Sequence, residues 1–255
     1  GADPEAMAQA ARMQVELGAE IIDINMGCPV KKIVGTGSGA ALLRDEPLAG
    51  RIMETVARAV PVPVTVKIRL GWDDGSRNGV AMARIAEASG MRAITVHGRT
   101  RAQMYAGQAD WEAIAEIKSR VALPVIGNGD LISAEQARHL WQKSGVDGLM
   151  IGRAALGRPW IFREFATHLT TGAPAEPPSL DERKAVIIDH FHAMIAHHGP
   201  WTGHLLARKH LGWFTRGFPG GAAFRDRINH APHAEAVAEM LHGYFDTLMA
   251  SPRAA

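Results

Sequence analysis

Five short apolar runs alternate with helical segments, each run closes on polar or glycine residues, and no strand signal follows the fifth. Together these predict an α/β fold, a (β/α)8 TIM-type barrel followed by a small all-helical domain. The barrel follows from where the polar residues fall. In a parallel barrel the βα loops converge at the C-terminal ends of all the strands, whereas a doubly wound sheet gathers its site at one switch point.

The first helix runs from Asp3 to about Leu17, with Asp3 as cap, Pro4 in the first turn and Gly18 at the end. Ile21 to Met26 then reads as a strand buried on both faces. Helices at about Pro47–Ala59, Val80–Ser89, Asp110–Arg120 and Ser133–Lys143 lead to strands at Val64–Arg69, Ala93–His97, Pro124–Gly127 and Gly148–Ile151. Polar or glycine residues close each strand: Asn25 to Cys28, Lys67 and Arg69, His97 to Arg99, Asn128 to Asp130, and Gly152-Arg153. A closed barrel needs eight strands. With five counted and a helix first, about three βα units are expected to precede Gly1, leaving a seam with exposed strand edges.

A helix near Pro159–Leu169 is followed by a proline-rich stretch, and three amphipathic helices are predicted at Arg183–His198, His204–Arg216 and Ala234–Met249, with a short one around Phe224–Ile228. The expected division is a partial barrel over 1–172, a linker over 173–179 and a helical domain over 180–255.

The composition is that of a globular protein, 47% hydrophobic and 21% charged. A formal net charge of +2 permits a nucleic-acid partner without requiring one. One cysteine, Cys28, excludes an intrachain disulfide and fits a reducing compartment. No apolar run approaches the roughly 18 residues of a membrane span, and no secretory leader is visible. The expectation is a cytoplasmic monomer with no membrane association.

Several residues could carry chemistry. Gly127-Asn128-Gly129-Asp130 and Ile151-Gly152-Arg153-Ala154 end the last two strands, where barrels often bind phosphate through backbone N–H groups; tight turns alone would also use these glycines. Lys67 ends an apolar strand and needs a partner, either a cofactor ring or a structural carboxylate. His97 could donate to a ring or phosphate, or be a satisfied structural group. The arginines after it could hold an anionic substrate. Cys28 sits at the catalytic edge before the glycine-rich Gly35–Gly39 stretch, as a nucleophile or proton donor on a loop that the glycines would let move. No metal-ligand spacing is present.

Taken together, Asn25-Met26-Gly27-Cys28-Pro29, Lys67-Ile68-Arg69, His97-Gly98-Arg99-Thr100, Gly127-Asn128-Gly129-Asp130 and Ile151-Gly152-Arg153-Ala154 resemble, in order and spacing, the tRNA-dihydrouridine synthases, with the bacterial B-type subgroup most similar. Ala207-Arg208-Lys209-His210 and Phe224-Arg225 resemble that family's helical domain. The resemblance implies an FMN-containing barrel that takes hydride from NADPH and reduces a uridine in tRNA, with Cys28 delivering the proton to C5. It implies FMN contacts at Lys67, His97, Asn128, Gly129, Asp130, Gly152 and Arg153. Substrate contacts are implied at Asn25 and Arg99, and tRNA contacts at Arg208, Lys209, Arg216, Arg225 and Arg227. The family's Pro-Met-Ala element and a ring-binding glutamine are expected ahead of Gly1. Two other readings fit the residues: an FMN-barrel reductase of a small pyrimidine, like dihydroorotate dehydrogenase, and a non-catalytic tRNA-binding fragment.

Overall fold

The computed structural model describes residues 1–250 and divides into two compact units, Gly1–Gly152 and Arg153–Ala255. In chain order the first unit holds α1 (Pro4–Glu16), β1 (Ile22–Met26), α2 (Lys31–Val34), a 3-10 helix (Gly39–Arg44), α3 (Glu46–Ala59), β2 (Val64–Arg69), α4 (Gly79–Ala88), β3 (Ile94–His97), α5 (Trp111–Ser119), β4 (Val125–Asn128), α6 (Ala134–Ser144) and β5 (Gly148–Met150). The strands lie in the order β1-β2-β3-β4-β5, and every neighbouring pair is parallel. A parallel five-stranded α/β arrangement of this kind is consistent with a TIM-type barrel.

Local chemistry sets the helix ends. The Asp3 carboxylate accepts from the Ala6 N–H at 2.7 Å, and the Ser133 hydroxyl accepts from the Gln136 N–H at 3.2 Å. Gly145 ends α6 in the left-handed conformation, φ 66°.

Strand register sorts the side chains into rows. Ile24, Val66, Ile94 and Val125 are partners across four strands, and with Met26, Ile68 and Val96 they form a buried apolar face. On the other face one row runs Asn25, Lys67, Thr95, Ile126, and the next runs Arg69, His97, Asn128, Met150. This corrects the expectation for β1. It is not buried on both faces, because Asp23 and Asn25 alternate with Ile24 and Met26 and are exposed, and Ile21 lies ahead of the strand. The stretch after Cys28 also differs from the open loop its glycines suggest: it forms α2 and the 3-10 helix.

The second unit holds a 3-10 turn (Arg153–Ala155), α7 (Ile161–Thr171), α8 (Leu180–His198), α9 (Pro200–Phe214), α10 (Gly221–Asn229) and α11 (Ala234–Met249). Its core packs Ile187 and Phe191 with Leu211, Phe224, Ile228, Leu241 and Phe245. Two helices start earlier than their apolar periodicity predicts. At α8 the reason is a capping box between Ser179 and Glu182; at α9 it is Pro200, whose fixed φ suits a first turn. Among the described residues, no helix is long and apolar enough to cross a membrane.

Candidate active site

The polar face of the sheet and the loops at its C-terminal edge bring the first unit's predicted residues together. At the end of β1 the chain turns under the control of Asn25, whose Oδ1 accepts from the Gly27 and Cys28 N–H groups, both at 3.0 Å. The Asn25 side chain, expected at the substrate, thus spends its oxygen on bending the backbone at Cys28. Behind the turn, the Cys28 carbonyl accepts from the Ala40 N–H at 3.0 Å. A Cβ on Gly39 would stand 2.9 Å from that same oxygen. Gly39 (φ 61°) therefore serves close packing against Cys28 rather than mobility.

Sequence reasoning gave no particular role to Arg69, which organises the site. Buried at the end of β2, it donates from Nε to the Gly27 carbonyl at 2.8 Å and from Nη1 to the Thr100 and Met104 carbonyls at 3.0 and 2.8 Å. Its guanidinium lies 5.6 Å from the Tyr105 ring centroid. Nη2 makes no hydrogen bond among the described residues. One row below, Lys67 is half-buried and has no hydrogen-bond or ion-pair partner among the described residues. Its pKa is held below the usual lysine value, first by burial and then by the Arg69 charge, against a raising effect of Asp23. Asp23, also missed, accepts from the Thr65 hydroxyl at 2.6 Å. The period-two alternation of polar residues through Asp23, Asn25, Thr65, Lys67 and Arg69 was the signal that could have found this face.

Across β3 and β4 the charges are closed. Arg99 is 2% exposed and donates to both Asp130 oxygens at 2.9 and 2.7 Å, to the Ala106 and Gly107 carbonyls at 3.0 and 2.6 Å, and toward His97 Nε2 at 3.4 Å. That engages all five guanidinium N–H groups. Arg99, expected at the substrate, has no donor left for one. Asp130 (φ 54°) also accepts from the Ala109 N–H at 2.7 Å, so this expected cofactor contact serves Arg99 and the loop.

A guanidinium can only donate, so His97 Nε2 accepts and the neutral ring carries its proton on Nδ1. Burial, together with the charges of Arg69, Lys67 and Arg99, pulls the His97 pKa down to about 3. His97 is thus a neutral donor through Nδ1.

The glycine loops serve packing as well as access. A Cβ on Gly127 would fall 2.4 Å from the Trp111 ring, and Trp111 Nε1 donates to the Gly129 carbonyl at 3.0 Å. Gly129 (φ 130°) leaves no room for a side chain against Ala109 and His97. Asn128 Nδ2 donates to the Met150 carbonyl at 2.8 Å, tying β4 to β5. Gly152 and Arg153 are exposed and fall on opposite sides of the unit boundary.

In the second unit, Arg208 Nη2 donates to the Ala231 carbonyl at 2.7 Å, Lys209 is exposed with Nζ 5.0 Å from the Trp213 ring centroid, and Arg225 Nη1 donates to the Thr215 carbonyl at 3.3 Å. Of the five expected tRNA contacts, Lys209, Arg216 and Arg227 are exposed, whereas Arg208 and Arg225 are half-buried.

Residues 1–248 match the dihydrouridine synthase family. The chain belongs to that family. It is 49% identical over 245 residues to tRNA-dihydrouridine synthase B of Pseudomonas putida, covering 96% of this chain and 73% of that protein. It is 49% identical over 250 residues to the tRNA-dihydrouridine synthase B of Xanthomonas campestris, covering 98% of this chain and 75% of that protein. A probable tRNA-dihydrouridine synthase of Rickettsia conorii is 45% identical over 249 residues, 98% of this chain and 75% of that protein. A crystal structure of N-acetylneuraminate lyase from Mycoplasma synoviae matches with a TM-score of 0.50 at 17% identity, over 97% of this chain and 75% of that one, a likeness of fold alone. For this dihydrouridine synthase, the polar sheet face with Cys28 at its edge is the candidate active site.

Proposed function

We propose that this chain reduces the C5=C6 bond of uridine in tRNA to 5,6-dihydrouridine, with FMN as resident cofactor and NADPH as its reductant. The observation that carries the reading is the half-buried ammonium of Lys67, unpartnered among the described residues and paired in register with Asn25 on the strand that ends in the Cys28 turn. An isolated buried cation is costly to maintain, and the face around it is rich in donors: Lys67 Nζ, His97 Nδ1 and Arg69 Nη2. That donor set fits an electron-rich, anionic ring. When bound, FMN supplies the hydride for C6 of the uracil.

The chain's own residues do the rest. Lys67 and His97 would hold the cofactor ring, while backbone N–H groups at Asn128, Gly129 and Gly152 would take its phosphate. Asp130 acts at one remove, by holding Arg99 against His97. Cys28 gives a proton to C5, its backbone preset by Asn25 and the Gly27 carbonyl anchored by Arg69. The uracil must leave its stack to reach this edge. Lys209 in the second unit offers a contact to the RNA backbone.

The test is to add FMN to the purified chain, remove the excess, and follow the bleaching of the retained flavin band by NADPH without oxygen. Dihydrouridine formation is then assayed on unmodified tRNA. Cys28→Ala is expected to keep the band and tRNA binding while losing about 10²- to 10⁴-fold in turnover. Turnover at the parent rate in that variant would sink the role given to the thiol.

A further inference from the structure

Arg44, at the end of the 3-10 helix that backs Cys28, and Arg101, in the loop after β3, both sit over the indole of Trp72. Their Cζ atoms lie 5.0 and 4.5 Å from the ring centroid. Two guanidiniums gathered on one ring repel each other, and a protein surface normally interleaves such charges with carboxylates. Here neither side chain has a hydrogen-bond or carboxylate partner among the described residues. Arg101 Nε is buried and has no acceptor among the described residues.

The acids nearest in sequence are engaged elsewhere or stand apart. Asp45 caps α3 by accepting from the Leu48 N–H at 3.0 Å, and Asp74 is bound to Arg77 at 3.1 Å. Asp73 forms no ion pair with either arginine.

The platform is also built to stay in place. Arg101 N–H donates to the Gly71 carbonyl and Ala102 N–H to the Trp72 carbonyl, both at 2.9 Å, which locks the two loops side by side. Gly71 (φ 155°) pairs with Arg77 in an antiparallel bridge so close that a Cβ would fall 2.2 Å from the Ser76 carbonyl. Arg44 is exposed, and Trp72 and Arg101 are half-buried, so an outside ligand can reach both charges. Trp72 follows the end of β2 by three residues and Arg101 follows the end of β3 by four, on the edge that holds Cys28.

We propose that Arg44 and Arg101, seated on Trp72, bind one backbone phosphate of the RNA strand beside the nucleotide that enters at Cys28. Two forked donors converging on a single anion are the usual way a protein grips a phosphodiester, and such contacts set register without reading sequence. The inference rests on the tRNA reading above. It moves the anion-holding role expected of the arginines after His97 from Arg99, whose donors are used up, to Arg101.

The experiment measures the dissociation constant of an unmodified tRNA transcript for the full chain, Arg44→Gln, Arg101→Gln, the double variant and Arg101→Lys, over a series of salt concentrations. Each Gln variant is expected to bind about 3- to 10-fold more weakly, and to lower the slope of log K against log salt by roughly one contact. Because both arginines serve one phosphate, the double variant should also lose about one contact and not two. Arg101→Lys should keep the slope. Matching thermal melts, expected above all for the exposed Arg44, exclude a folding defect. Unchanged affinity and slope in the variants, with the parent chain binding tRNA, would overturn this inference alone. A parent chain that binds no tRNA would overturn the reading beneath it as well. A raised KM for NADPH with unchanged tRNA affinity would assign the site to the reductant's phosphate and overturn the RNA assignment.

Discussion

Arg69, at the end of β2, and Arg99, two residues past the end of β3, are both 2% exposed, and they are used in opposite ways. Arg99 spends every N–H on Asp130, two carbonyls and His97. Arg69 spends two nitrogens on carbonyls of the Cys28 turn and the loop after β3, and among the described residues Nη2 is uncommitted. The same division extends to their neighbours. On the β3–β4 side the charges cancel in a closed network, whereas on the β1–β2 side Lys67 stands without a partner among the described residues, beside the Cys28 strand. Burial of a charge therefore does not by itself mark a ligand contact, because donors already spent within the protein cannot serve one.

Three measurements sharpen that contrast. The largest effect is expected from Arg99→Gln, which takes away the guanidinium from which both Asp130 oxygens and two loop carbonyls accept. Breaking such a buried pair should remove about 3 kcal/mol from the stability to urea. A loss below about 1 kcal/mol would mean that the network does not hold the loop.

The next concerns pH. The folded His97 pKa of about 3 lies below its unfolded value near 6.5, so between these limits the unfolded chain binds the extra proton. The stabilisation is complete above the unfolded value and declines as pH falls toward the folded one, by at most about 1.4 kcal/mol per pH unit. His97→Gln should accordingly flatten the loss of stability between about pH 7 and about pH 4. An identical pH profile in that variant would contradict a neutral, buried His97.

The smallest effect is at Lys67. Its lowered pKa means that folding disfavours the ammonium, so Lys67→Met should stabilise the cofactor-free chain by about 1 kcal/mol while weakening FMN retention. Destabilisation by the same change would show that Lys67 has a structural partner after all.

Much of this molecule was legible from residue types and spacing. Apolar β-branched runs located the strands, and Asp3, Ser133 and Gly145 marked helix ends that the structure keeps. Asn25, Cys28, Lys67, His97 and Asn128 do gather on one face and edge. What spacing did not reveal was partnership. Arg99 looks like a free cation until Asp130, 31 residues on, is seen to occupy it. Trp72 gives no hint that Arg44 and Arg101 converge on it from two separate loops. The Gly35–Gly39 stretch reads as mobile because composition records permitted backbone angles, not the packing against Cys28 that uses them. β1 misled for a related reason: a run rich in isoleucine and methionine masks the exposed Asp23 and Asn25 set between them.

Gly127 holds a separate lesson for motif recognition. Its missing side chain makes a berth for the Trp111 indole, whose N–H in turn holds the Gly129 carbonyl. Part of the Gly-Asn-Gly-Asp signature therefore encodes an aromatic residue sixteen positions upstream. A pattern search keyed to those glycines would detect that tryptophan's lodging as readily as a nucleotide's, and an engineered swap of Trp111 for a smaller residue would release the constraint on Gly127 while also freeing the Gly129 carbonyl.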